Sequence, residues 1–374
     1  MSGRGGCWPT PAQELLLRAA LLTGSEAVSA WEAWQAATPD LGALDHGSIR
    51  LLPLLYANLR ALGVSHPRMD VLHGTYRKAW YQNRVLLHRV GRVVQGLNDA
   101  GVPTMVLKGV ALLASLGAEL AVRPMDDGDV MVPADRVAPA ADVLGGLGLR
   151  TRWDLSPDRR STIHAAPFSE GERHWLDLHW HALKEDCAPD ADAAEWAAAI
   201  PVRVDGVATL APTLTDQLLH ACVHGLRWDP EPPLRWVADA AMLVRTGGID
   251  WELLAGRAHA HRVAPVLGMA LDYLARVLEL PIPPGFAASR LTPPTAAWER
   301  RELRLQMEPL TELRRLRLHW YRHRRLRGGE GGLKALVAFP GYMRRFWGLR
   351  SVAEMPRYLA RELPAIRRRI AGGQ

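Results

Sequence analysis

The strongest constraint on this chain is a change of apolar period near residue 101. Before it, Leu15, Leu16, Leu17, Ala20 and Leu21 recur at helical spacing, then Leu51, Leu55, Leu59 and Leu62, then Leu72, Trp80, Val85, Leu86, Val90 and Val94. Gly101 and Pro103 end the last stretch. Beyond them the apolar runs shorten and turn residues separate them. Pro103–Leu107 reads as a buried strand, Val110–Leu116 as a helix, and Arg123–Val132 as a turn entering a second strand. A helix from Pro133 to about Leu144 follows, then strands at Leu149–Trp153, Ser161–Phe168 and Arg173–Trp180. From Pro212 the pattern is helical again, at about 214–226, 233–245, 250–260 and 263–279, with Thr213 and Asp216 as a capping pair. Pro281–Gly285 reads as a linker to helices at about 295–327 and 333–372, parted by Gly328–Gly332. The expected fold is α+β and predominantly helical, with a small mixed sheet between helical flanks. The expected division is an N-terminal helical region over 1–101 and an α/β core over 102–211. A helical region over 212–280 closes a cleft, and a basic helical region occupies 281–374.

The acidic residues of the core are patterned. Asp127 and Asp129 are one residue apart, so strand alternation puts both carboxylates on one face, about 7 Å apart at the backbone. Gly128, Val130 and Val132 take the other face. Such a pair repels itself unless a cation sits between, and Mg²⁺ prefers oxygen ligands completed by substrate phosphates. In the later strand, alternation puts Trp175, Asp177, His179 and His181 on one face and His174, Leu176, Leu178 and Trp180 on the other. Three carboxylates from two strands, Asp127, Asp129 and Asp177, can hold a pair of Mg²⁺ or Mn²⁺ ions as a clamp for nucleotidyl or phosphoryl transfer. Lys108 and Gly109 stand at a strand-to-helix junction, where free N–H groups favour anions. Lys108, Gly109, Arg123 and His179 are therefore the candidates for binding the nucleotide.

Each piece has a bland counterpart. Asp126–Asp129 alone could be an acidic turn, and Asp177 a surface residue. The order of the pieces along alternating elements favours a site. His220 and His224 have the i, i+4 spacing of a zinc pair but lack a following glutamate, which favours packing. His164, His224 and Asp239 are candidates for the cleft wall.

Charge is uneven. Residues 281–374 hold 20 Lys and Arg against 7 Asp and Glu, or +13, while the first 280 residues hold 26 against 32, or −6. A basic end on a mildly acidic body suggests an anionic partner. Trp320, Tyr321, Tyr342, Phe346 and Trp347 interleave with its arginines, a pattern that suits single-stranded nucleic acid, an anionic membrane surface or helices lying on the body. No apolar run is long enough to span a bilayer. The three cysteines, Cys7, Cys187 and Cys222, match no disulfide or zinc spacing, and no export signal is read, so a reducing, cytoplasmic setting is expected.

The segments Val106–Leu112, Arg123–Val132 and Leu176–Trp180, with Gln217–His224 and Leu234–Asp239 after them, resemble the uncharacterised bacterial nucleotidyltransferases of the DNA polymerase β-like superfamily. The resemblance covers roughly residues 10–280. It implies a Mg²⁺-dependent transfer of a nucleotidyl group from an NTP. Gly109 would start the phosphate-facing helix, Asp127 and Asp129 would bind metal, and Asp177 would share it and help deprotonate the acceptor. Three features depart from the superfamily. Val110 offers no hydroxyl after Gly109, the gap from 109 to 127 is long, and Gly128 replaces a bulky aliphatic. The acceptor is open among a peptide, RNA, a sugar phosphate and a small molecule. Transfer of a sugar or phosphoryl group from a nucleotide donor, and a non-catalytic basic binding module, are the alternatives.

Overall fold

The computed structural model describes residues 6–292 and 295–361. The chain enters through α1 (Pro11–Leu21), α2 (Gly24–Ala37), α3 (His46–Ile49), α4 (Leu52–Ala61) and the 32-residue α5 (Arg68–Asp99). The period change then appears as β1 (Met105–Val106), α6 (Lys108–Leu116), β2 (Gly128–Met131), α7 (Val137–Gly146), α8 (Pro157–Arg160), β3 (Ala165–Glu170) and β4 (Arg173–His179). After α9 (Ala193–Ala198) a hairpin of β5 (Ile200–Val204) and β6 (Val207–Ala211) completes the sheet. Helices α10 (Leu214–Gly225), α11 (Arg235–Arg245), α12 (Trp251–Ala260) and α13 (Ala264–Leu278) follow. The basic end forms α14 (Ala297–Gln306), α15 (Glu312–Leu326) and α16 (Leu333–Trp347). The fold is α+β and mostly helical, around one six-stranded mixed sheet of order β3-β4-β2-β1-β6-β5.

Two cores organise these elements. Leu86, Val90 and Val94 of α5 pack on Val106, Val130, Leu176 and Leu178, which cover one face of the sheet. In the other core Leu16, Leu17, Trp31 and Leu55 from α1, α2 and α4 join Leu218, Val237, Leu267 and Leu271 from α10, α11 and α13. Helices from the two ends of the expected α/β core thus share one interior, and the sheet lies beside it. Strand alternation on β2 turns Gly128 and Val130 to α5 and Asp129 and Met131 to the opposite face.

The structure revises several expectations. Leu149–Trp153 is no strand; Arg150 makes a single bridge to Ser169. The 295–327 helix breaks at Met307–Leu310, where Pro309 lacks an N–H for the ladder. The 333–372 helix stops at Gly348, which is left-handed at φ +67°, and residues 362–372 of that expectation lie outside the described residues. The β5–β6 hairpin was not expected. Its turn, Asp205 and Gly206 with φ of 49° and 84°, has the all-positive geometry that joins tightly twisted strands. Among the described residues no helix is long and apolar enough to cross a membrane.

Gly128 is required by packing. A Cβ there would collide with Val90 Cγ2 of α5, so glycine lets the helix approach the strand that carries Asp129. Gly128→Ala should destabilise the protein by about 1–3 kcal/mol through overpacking against a rigid β-branched side chain. An unchanged urea midpoint would show that α5 shifts freely.

Candidate active site

Strand β2 runs parallel to β4 with Asp129 opposite Asp177 and Met131 opposite His179. Parallel pairing puts equivalent side chains on one face, so Asp129, Asp177 and His179 meet. Their ligand atoms lie within 4.8 Å of one another. His179 Nε2 stands 3.0 Å from Asp129 Oδ1, and its Nδ1 3.3 Å from the His181 carbonyl oxygen. Lys108 Nζ donates to the same Asp129 oxygen at 2.5 Å. To place that ammonium the Lys108 backbone adopts φ +49°, a strained left-handed geometry for a side chain with a Cβ. Burial alone would raise the pKa of Asp129, but Lys108 and His179 outweigh it and hold the carboxyl far below the usual range.

Asp127 is placed differently from its expected position. Strand β2 begins at Gly128, so Asp127 lies in the preceding bend and alternation does not fix it. Its carboxylate is half-buried and makes no hydrogen bond or ion pair among the described residues. Burial and then the charge of Asp129 raise its pKa, Lys108 opposes this, and Asp177 adds to the rise. Asp127 thus feels the charge of the Asp129–Asp177–His179 group, with Lys108 and Arg235 as the opposing cations, but is not one of the group's closely set ligands.

On β4 the register shifts at Phe168 and Ser169, so that Trp175 is the unpaired extra residue. That bulge undoes the expected alternation at the start of the strand. Trp175 turns to the α5 side, under the Arg89 guanidinium at 5.2 Å. His174 comes to the Asp177 side, and its Nε2 lies 2.9 Å from Asp177 Oδ1. His181, expected on the same face, is tied to Asp192 at 2.7 Å.

The other nucleotide candidates sit around a cavity of about 320 Å³ between the sheet and α10 and α11. Lys108, Arg123, His220, His224 and Asp239 line it, and so do Arg50 and Arg235, which sequence reasoning did not single out. Arg123 is buried and clasps Asp239 through Nε and Nη2 at 2.9–3.2 Å. Its remaining face covers Gly109, where a Cβ would collide with Nη1. The glycine is therefore accounted for by arginine packing. Arg235 is pushed down to about 10 by burial and by the neighbouring Arg123 and Arg50, so it stays charged at neutral pH. His220 and His224 stack at 5.5 Å with planes 9° apart. Burial and Lys108 push both pKa values down, His220 to about 3, so neutral rings form this wall. His164 stands edge-on to His179 at 5.4 Å, and burial likewise lowers its pKa.

The sequence pattern of the uncharacterised nucleotidyltransferases matches residues 48–279, well over half of the chain. The chain belongs to this family. Two solved structures of the antibiotic-resistance factor ANT(2'')-Ia are also similar, one in solution and one a crystal structure with adenylyl-2''-tobramycin. Both are 16% identical to the chain, with TM-scores of 0.34 and 0.32. The first covers 53% of this chain and 96% of its own, the second 47% and 96%. No curated protein matches.

Asp127 and Asp129 have opposite effects on metal-free stability. The raised pKa of Asp127 means that ionisation costs stability as pH rises through the ordinary carboxylate value and above it. In chelator, Asp127→Asn should raise Tm by about 1–3 °C at pH 7 and give no gain below about pH 4. The lowered pKa of Asp129 contributes stability above the ordinary value that is lost as pH falls through it. Asp129→Asn should therefore lower Tm at pH 7. Equal melting shifts for the two variants would contradict this assignment.

Proposed function

We propose that the chain is a Mg²⁺-dependent nucleotidyltransferase that moves a nucleotidyl group from an NTP to an acceptor. The carrying observation is the Asp129–Asp177–His179 group, joined through Lys108 to a cavity lined by Arg50, Arg123 and Arg235. The donor set suits a hard cation. Two carboxylates from paired strands face one another, and Asp127 supplies a third with no partner of its own. The Nδ1–H of His179 can donate to the His181 carbonyl, which orients Nε2 toward the same point. His179, expected beside the nucleotide, thus serves better as an ion ligand. When bound, Mg²⁺ would neutralise phosphate charge and acidify the attacking group.

The chain's own groups account for the rest of the chemistry. Lys108 and Arg235 offer cations to the triphosphate from the cavity wall. Asp239 holds the Arg123 guanidinium in place, so its charge adds to the field without moving. Asp177, oriented by His174, is placed to take the proton of an acceptor hydroxyl. Excluding water from a cavity with neutral histidine walls strengthens each of these charges.

The test incubates the protein with each α-labelled NTP, Mg²⁺ or Mn²⁺, and peptide, RNA, sugar-phosphate and small-molecule acceptors. Label should pass to one acceptor with release of pyrophosphate. Asp177→Asn and Asp129→Asn should each reduce transfer on the order of 100-fold or more. Asp126→Asn should keep it, since Asp126 is exposed and pairs with Arg50 outside the group. Equal transfer by wild type and Asp177→Asn would sink the reading, and release of a nucleoside diphosphate would replace it with sugar or phosphoryl transfer.

A further inference from the structure

The basic end of the chain presents one committed face and one free face. On the inner side of α15, Arg325 is buried and holds Glu302 of α14 at 2.5 Å and the Glu185 carbonyl at 3.0 Å. His323 of α15 and Ala335, Tyr342 and Met343 of α16 are also buried, and His323 Nε2 lies 3.0 Å from the Ala335 carbonyl oxygen, so the two helices pack on one another. With these contacts made, the outer side of the α15–α16 hairpin cannot turn inward. It carries Leu313 and Leu316 on α15 and Leu333, Leu336 and Val337 on α16. Leu333 and Val337, at 77% and 72% exposure, are the most exposed large apolar side chains among the described residues. Their spacing, i to i+3 and i+4, places them on one side of each helix. Arg317 and Lys334 stand on the same sides with no ion pair among the described residues.

We propose that this hairpin face docks on an anionic lipid bilayer surface. Exposed aliphatic tips surrounded by long cationic side chains are the composition that enters the boundary between headgroups and acyl chains. The cations reach back to lipid phosphates as they do so. Residues 281–374 carry +13, which makes an anionic surface the complementary one. A second copy of the chain would bring the same charge, and so would the chain's own residues 362–374 with Arg367, Arg368 and Arg369. Single-stranded nucleic acid needs exposed rings on which bases stack. Here the rings are used internally. Trp320 meets Phe339 edge-on at 5.3 Å, Phe339 stacks on Tyr342, Trp298 stacks on Tyr321, and Trp347 stacks on Tyr358. The exposed large apolar side chains of the hairpin are leucine and valine, which suit acyl chains and cannot stack on bases.

The test is co-sedimentation of the full chain with vesicles of phosphatidylcholine alone and of phosphatidylcholine mixed with phosphatidylglycerol. Partition should be about tenfold or more higher on the anionic vesicles and should fall at high salt. Leu336→Asp/Val337→Asp should reduce it about tenfold, and Leu333→Asp alone should reduce it in the same direction. All three side chains are exposed, so circular dichroism and melting should match wild type. The proposal is overturned if anionic vesicles do not pellet the protein or if the three substitutions leave pelleting unchanged. It is also overturned if poly-uridylate or poly-glutamate binds with this dependence on the substitutions while vesicles do not.

Discussion

The structure depends on the compensation of one buried charge. Asp129 is 3% exposed, and an isolated carboxylate at that depth costs several kcal/mol even after relaxation. Lys108 and His179 share its Oδ1 and offset that cost. Both are delivered by backbone features with no other evident purpose. The left-handed Lys108 turns β1 into α6, and the parallel register of β2 and β4 brings His179 alongside. A protein that needed only a stable sheet would place a leucine at 129. Retaining a charge that takes a strained lysine and a buried histidine to neutralise is the pattern expected where function sets the residue.

The same region joins the two cores. The loop from Arg123 to Met125 is held from one side by Asn83 of α5, which donates to the Arg123 carbonyl and accepts from the Met125 N–H. From the other side Asp239 of α11 grips the Arg123 guanidinium. The loop therefore connects the sheet core to the helical core immediately before the strand that carries Asp129. A shift of α11 would reach β2 through one bidentate pair, whose planar geometry transmits direction as well as charge.

How much of this could be read in the sequence depends on the range of each interaction. The strands carrying Asp129 and Asp177 were legible, because alternation and turn residues are local. Their pairing was not, since nothing local says that β2 and β4 run parallel with the aspartates opposed. The bulge at Trp175 also escaped, because a one-residue slip leaves composition unchanged and reverses the side-chain faces. The Asp205–Gly206 hairpin had its Asp-Gly turn signal in plain view, but its strands are short, and no element is read from the sequence between Trp180 and Pro212. Arg50 and Arg235 come from helical regions more than 180 residues apart and matter only because folding brings them beside Arg123. Long-range convergence of like charges has no sequence signature.

That convergence bears on how the cavity works. Arg50 and Arg123 lower the pKa of Arg235, while Asp239 pairs with Arg123 and Asp126 with Arg50. Across Lys108, the charges of Asp129 and Asp177 likewise raise the pKa of Asp127. Arg235 and Asp127 are thus each held among like charges, two local excesses of opposite sign that disfavour the charged form of one cation and one anion. A ligand that is itself a pair of opposite charges, an anionic chain carrying a divalent cation, relieves both at once. Either half alone would correct one excess and leave the other. Its binding would be favoured by the strain it removes as well as by the contacts it makes, and its two components would bind cooperatively. Under the proposed function, a metal–phosphate complex would therefore bind more tightly than a metal or a phosphate alone.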